Sequence, residues 1–244
     1  MEGLHSILLK TVYLSLFVQI LTGIADVYVL FAVTGEKLIL KALLLLEIIV
    51  QAIEGTFYVW MASLFSTIKD VTPKRYFDWA LSTPIMLFTL CIYLDYLKKE
   101  KEEKVEKEPL KNHDEKKEKN ETSWINLIVT KFNEHKTTLI PIFILNWLML
   151  LLGYFGEIGM LNNIFAVFLG FIPFFAFYSI IYFKYAKYTE TGKQIFWWFA
   201  IIWGLYGYAA LMSYNWKNIS YNFLDLFSKN FFGIYLAYLV WQNK

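Results

Sequence analysis

The stretch "FLDLFSKNFFGIYLAYLVW", Phe223 to Trp241, decides how this chain reads. It has the length and apolarity of a helix crossing a bilayer, about 20 residues for about 30 Å of hydrocarbon. Lys229 interrupts it. A lysine at mid-membrane depth costs about 2.5–3.5 kcal/mol on insertion scales, so a charge there marks a functional site by default. Asp225 stands four residues earlier, on the same helical face.

Outward from this block, similar blocks recur. Hydrophobic residues make up 57% of the 244 residues and aromatics 20%, and the mean hydropathy is +0.43. Soluble domains lie nearer about 45–50% apolar. Seven blocks emerge: Ile7–Val33, Leu38–Phe65, Tyr76–Leu97, Leu139–Phe155, Leu161–Phe183, Gln194–Ser213 and Tyr221–Trp241. They predict an all-α bundle of seven transmembrane helices, a single domain over residues 1–244 with no soluble module. The first block is long and lacks a small-residue cleavage site, which argues against a signal peptide. Cys91 is the one cysteine, so no internal disulfide forms.

Lysines gather in alternate connections: Lys37 and Lys41, the run after Lys98, then Lys184, Lys187 and Lys193, and Lys244. "GYFGEIGMLNN", after the fourth block, has none. The positive-inside rule puts the N-terminus outside and the C-terminus in the cytoplasm. The mixed-charge run from Lys98, residues 98–122, reads as a solvated cytoplasmic loop, and its acids balance its lysines, against a nucleic-acid role. In residues 123–136 apolar side chains recur at helical spacing, which suits either a helix on the membrane surface or the frayed start of the fourth span. Asn120-Glu121-Thr122 and Asn218-Ile219-Ser220 are glycosylation sequons, the first on the wrong side of the membrane and the second close to the bilayer. His5, His113 and His135 read as surface residues. No phosphate loop, metal cluster or nucleophile–histidine pair points to an enzyme.

The third block opens "KRYFDWALSTP". Arg75 and Asp78 are neighbours on a helix face, and Arg75 is the only arginine beside 22 lysines. Its planar fork holds carboxylates as an ammonium cannot. Asp78 and Asp225 against Lys229 and Arg75 make a charge-balanced buried cluster, which adds little to static stability. A desolvated lysine suits a Schiff base with a carbonyl compound, and the carboxylates suit its counterion.

"RYFDWALSTP" and "DLFSKN", with seven spans in order, resemble the matching segments of microbial (type 1) rhodopsins. The resemblance implies all-trans retinal as a protonated Schiff base on Lys229, Asp78 and Asp225 as counterions, and Arg75 on their outer side. It implies pocket residues Trp79, Thr83, Met86, Gly153, Trp203 and Tyr206, and Tyr58 as the holder of Asp225. Where the family usually has proline after the sixth-helix tyrosine, this chain has Gly207.

Ser82 and Thr89 follow Asp78 where outward proton pumps have a hydroxyl and a carboxylic donor, so the donor acid is missing. In "EIIVQAIE", Glu47 and Glu54 stand seven residues apart, about two turns, on one face. Acids stacked along a helix can line a cation path. The segment resembles the second helix of channelrhodopsins, which implies a central gate of Glu54, Asn230 and a first-helix serine, here Ser15, and a pair Thr83–Asn146 that controls open lifetime. The compact, lysine-rich, arginine-poor chain resembles the channel-type rhodopsins of giant algal viruses more than the large algal channels. The expected function is a light-gated cation channel in the plasma or another cellular membrane of the host. Its partners are lipid, protons and monovalent cations, with a homo-oligomer left open. A light-driven outward proton pump and a sensor signalling through a partner are the alternatives.

Overall fold

The computed structural model describes residues 2–33, 37–65, 70–107 and 123–242. Six helices, α1 (Glu2–Ala32), α2 (Leu38–Ser63), α3 (Thr72–Lys107), α4 (Trp124–Glu157), α5 (Asn163–Lys184) and α6 (Glu190–Ala210), precede a seventh span, Tyr214–Gln242. That span is α-helical over Tyr214–Asp225, π-helical over Leu226–Asn230 and α-helical again over Phe231–Gln242. Five of the seven spans, all but α2 and α6, are long and apolar enough to cross a membrane by length and composition. α2 carries Lys41, Glu47, Gln51 and Glu54, all buried within the bundle.

Polarity in this bundle is turned inward. The buried residues of α1 are Leu8, Thr11, Val12, Ser15, Gln19, Thr22, Asp26 and Leu30, at steps of three and four apart from the neighbours Thr11 and Val12. Its exposed residues include Phe17, Ile20, Ile24, Tyr28 and Phe31. A helix with its polar stripe facing inward is solvated by lipid outside and by its neighbours' polar groups inside. α2 does the same with Glu47, Gln51, Glu54 and Tyr58. The two stripes and the seventh span enclose a polar row on one side of the bundle. On the other side α3, α5 and α6 pack an aromatic and aliphatic core that includes Met86, Phe174, Phe177, Phe199 and Trp203.

Helix ends follow local chemistry. The Asn162 side chain accepts from the backbone N–H groups of Ile164 and Phe165 at the start of α5. Thr189 caps α6 by accepting from Gly192 N–H at 3.0 Å. Such caps contribute about 1 kcal/mol each. Gly159, at φ +76°, turns the chain between α4 and α5 in a conformation that favours glycine.

Three expectations change. The charged run does not start as a loop, because α3 continues to Lys107. Lys and Glu are good helix formers, and Asp95–Lys99, Lys98–Glu102 and Glu100–Lys104 form pairs four residues apart. Residues 108–122, with the first sequon and His113, lie outside the described residues. Second, residues 124–136 are not a separate surface helix. α4 runs unbroken from Trp124, since no glycine or proline interrupts it before Pro141. Third, His135 is not a free surface group: it stands 3.3 Å from Asp95 of α3 and 3.2 Å from the Tyr185 hydroxyl after α5.

Candidate functional site

The seventh span delivers Lys229 from its π-helical turn, with its side chain 2% exposed. π-turns occur mostly as single insertions at functional sites. Lys229 Nζ donates to Asp78 Oδ2 at 3.1 Å. The same amine is 3.1 Å from Glu54 Oε1 and 3.6 Å from Asp225 Oδ1. α2, α3 and the seventh span thus bring three carboxylates to one amine. The sequence suggested Asp78 and Asp225 as the two counterions, with Glu54 at a gate beside the Lys229 nitrogen. The structure brings Glu54 as close to the amine as Asp78.

Arg75 lies on the outer side and is fully buried. Its Nη1 donates to Asp225 Oδ2 at 3.2 Å and its Nε to Asn218 Oδ1 at 3.1 Å. Nη2 donates to Asn222 Oδ1. Its guanidinium carbon sits 5.6–5.7 Å from the ring centroids of Phe57, Tyr58 and Tyr221, a favourable cation–π distance. Tyr58 and Tyr206 each donate to Asp225 at 2.7 Å, from opposite sides. Asp225 is therefore held by four groups, and the Tyr58–Asp225 link is the one the resemblance implied. Asn218 is fully buried and bonded to Arg75 and Thr72, so its sequon offers no accessible acceptor.

Beside Lys229, on the side away from α1 and α2, a cavity opens, with about 110 Å³ available to the centre of a water-sized sphere. Lys229, Trp79, Thr83, Met86, Gly153, Trp203 and Tyr206 all line it. Tyr76 and Tyr221 stand edge-on to Trp79, with centroids 5.0 Å away in both cases. Asn146 of α4 donates to Thr83 at 2.7 Å, which joins the pair singled out in the sequence. Glycines make room: a Cβ on Gly153 would meet Tyr76 Oη at 2.8 Å, and one on Gly207 would meet Phe171 Cζ at 2.7 Å. A narrow apolar slot between aromatic rings, with one amine at its end, fits a conjugated aldehyde such as retinal. Asp78 Oδ1 and Trp79 Nε1 are buried without hydrogen-bond partners among the described residues, so the polar end has capacity to spare.

The Phe171 ring occupies the space that a side chain at Gly207 would need. Gly207→Ala should destabilise the retinal-loaded pigment by about 1–3 kcal/mol, the usual cost of overpacking. Adding Phe171→Ala should restore part of the loss. Thermal bleaching of the single and double variants checks this; equal bleaching of Gly207→Ala and wild type would contradict it.

The gate residues separate. Ser15 donates to the backbone carbonyl of Asn222, in the outer half, at 3.1 Å. It does not reach Asn230. The partner of Asn230 on α1 is Thr22, seven residues further along, whose hydroxyl donates to Asn230 Oδ1. Thr22 also contacts Gln51 Oε1 at 3.1 Å. Gln51 Nε2 in turn donates to Asp26 Oδ2 at 2.6 Å. Asp26 is a buried acid that the sequence reading passed over. The inward polar series Thr11, Ser15, Gln19, Thr22, Asp26, at steps of three and four, was the signal that could have found it. Glu47, also fully buried, lies beside Thr89 and near Asp26, on the cytoplasmic side of Glu54.

The sequence profile of bacteriorhodopsin-like proteins matches residues 10–243. Among solved structures, the viral rhodopsin OLPVRII is similar with a TM-score of 0.75 at 23% identity, over 96% of this chain and 98% of that one. A blue light-absorbing proteorhodopsin from Med12 gives a TM-score of 0.71 at 15% identity, over 97% of this chain and 99% of that chain. The light-driven proton pump of Coccomyxa subellipsoidea gives 0.67 at 15% identity, over 95% and 96%. Among curated proteins, none matches the sequence. At these identities the solved structures speak for the fold alone, whereas the profile spans nearly the whole chain. With seven helices around a buried lysine and its carboxylates, the chain belongs to the bacteriorhodopsin-like family: it is a microbial rhodopsin, a retinal-binding photoreceptor built as a multi-pass membrane protein.

Proposed function

We infer that the protein is a light-gated cation channel with its chromophore on Lys229. The observation that carries this reading is the series of buried polar groups between α1, α2 and the seventh span. From the outer side it runs through Asn218, Arg75 and Asn222, then Glu54 and Lys229, then Thr22, Asn230, Gln51, Asp26 and Glu47. Retinal supplies light absorption and isomerisation when bound. The residues of this chain supply the rest. Asp78, Asp225 and Glu54 stabilise positive charge at the Lys229 nitrogen, and Asp78 and Glu54 are near enough to take its proton. Asp225, fixed by Tyr58, Tyr206 and Arg75, is the immobile member. Glu54 is held by fewer groups, with the Lys229 amine at 3.1 Å as its one ion-pair partner among the described residues. A carboxylate that faces both the amine and the row can couple charge change at Lys229 to opening of the path. Acidic side chains along a pore favour cations.

Whole-cell photocurrents against voltage test the reading. A channel passes ions down their gradient, so the current should reverse, at a potential that moves when external sodium or protons are exchanged. Glu54→Ala should change selectivity or current size, and should also shift the visible band because Glu54 is 3.1 Å from the Lys229 amine. Glu47→Ala should act in the same direction but less, and leave the band in place. Current of one sign at every accessible voltage, indifferent to external sodium, would sink the channel.

One observation favours the outward pump as a second reading. Thr89 stands where pumps have their cytoplasmic carboxylic acid, but Glu47 reaches its side from α2. The same voltage series separates the two, because a pump shows no reversal.

A further inference from the structure

We propose that Asp26, with Glu47, Gln51 and Thr22, forms a cation-binding site in the cytoplasmic half of the polar row, one that sets which ions pass. The proposal rests on the channel reading above. Asp26 and Glu47 are each fully buried, one on α1 and the other on α2. Glu47 stands one turn before Gln51, the partner of Asp26, on the same face of α2. Neither acid has an ion-pair partner among the described residues, in contrast to Asp78 and Asp225, which have Lys229 and Arg75. Asp26 Oδ1 has no hydrogen bond among the described residues, and Glu47 has only the Thr89 hydroxyl beside it. A buried carboxylate without a countercharge costs several kcal/mol. A passing cation is the partner that would remove this cost.

The site is built. Gln51 donates to Asp26 Oδ2 at 2.6 Å, which fixes the carboxylate and leaves Oδ1 available. Thr22 Oγ1 stands 3.1 Å from Gln51 Oε1, at the other end of the same amide. The seventh span passes this pair at Gly233, where a Cβ would stand 2.6 Å from both Asp26 Oδ2 and Gln51 Nε2. Any side chain there would displace the acid. The free donor atoms are carboxylate oxygens, with no sulfur or imidazole beside them, and such oxygens suit hard cations such as sodium. A partly dehydrated sodium ion at Asp26 Oδ1 would exchange water oxygens for carboxylate oxygens.

The test is made on the retinal-loaded protein in voltage-clamped cells, with the visible band as proof of folding. Reversal potentials are measured with sodium outside, then with sodium replaced by N-methyl-D-glucamine, at two external pH values. Asp26→Asn should keep the band and lower sodium permeability relative to protons by about tenfold, equivalent to about 1.4 kcal/mol. Asp26→Glu should retain more of the sodium permeability than Asp26→Asn. Gly233→Ala, which leaves every charge in place, should lower the ratio in the same direction. An unchanged ratio in Asp26→Asn, with the wild type reversing normally, would overturn the site and leave the channel standing. Should Asp26→Asn give no pigment, an unchanged ratio in Gly233→Ala overturns it equally. A wild type without reversal would overturn the channel reading itself and the site with it.

Discussion

Replacing Lys229 with alanine should abolish the visible absorption band on reconstitution with all-trans retinal. Among the described residues Lys229 is the only amine that lines the cavity between Trp79, Trp203 and Tyr206. The same change removes the cation that faces Glu54, Asp78 and Asp225. Stranding one member of a buried ion cluster costs about 3–5 kcal/mol, so loss of colour could come from loss of fold. Lys229→Arg separates the two: it keeps a positive charge but has no primary amine to attach the chromophore. It should express with intact helical circular dichroism and remain colourless. A visible band in either variant would place the attachment elsewhere.

Arg75→Ala should make the loaded pigment bleach thermally far faster than wild type, with a stability loss of about 3–5 kcal/mol for an uncompensated buried acid. Arg75 is the outer clamp of Asp225 and ties α3 to the seventh span through Asn218 and Asn222, with Tyr58 of α2 at 3.4 Å. Arg75→Lys should recover only part of the loss. An ammonium is a point charge without the planar fork, so it cannot serve Asn218, Asn222 and Asp225 together. Bleaching of Arg75→Ala at the wild-type rate would show that the clamp carries no stability.

The seven spans were legible because about 20 apolar residues in a row have few other uses. The amine and its main carboxylates were legible because charge inside such blocks is expensive and therefore conspicuous. What escaped depended on the rotation of each helix about its own axis. Ser15 and Thr22 are both hydroxyls on α1, and composition does not say which one faces Asn230. Asp26 in "TGIADVYVL" stands among residues that fit a lipid-facing helix equally well. Only the steps of three and four from Thr11 to Asp26 reveal an inward stripe, and they become persuasive once α2 is seen to present a matching one. The helical extension of α3 was hidden differently: an alternating run of Lys and Glu has high helix propensity but no apolar face to commit it.

The π-turn at Leu226–Asn230 sets a phase. One extra residue in a turn turns everything beyond it back by about 100° relative to an unbroken α-helix. Asp225 and Gly233 are eight positions apart in the sequence. In a regular helix they would point about 80° apart. With the inserted residue the eight positions count as seven, about two turns, and Gly233 comes beneath Asp225 on the same face. The chain thus aims two rows of contacts independently: Asn218, Asn222 and Asp225 at the arginine, Asn230 at Thr22 and Gly233 at Asp26. Straightening the turn into regular α-helix with every residue kept would leave the first row in register and swing the second away by about 100°, whereas deleting one residue would restore it, so a single inserted position in the chain keeps the two halves of the membrane aligned.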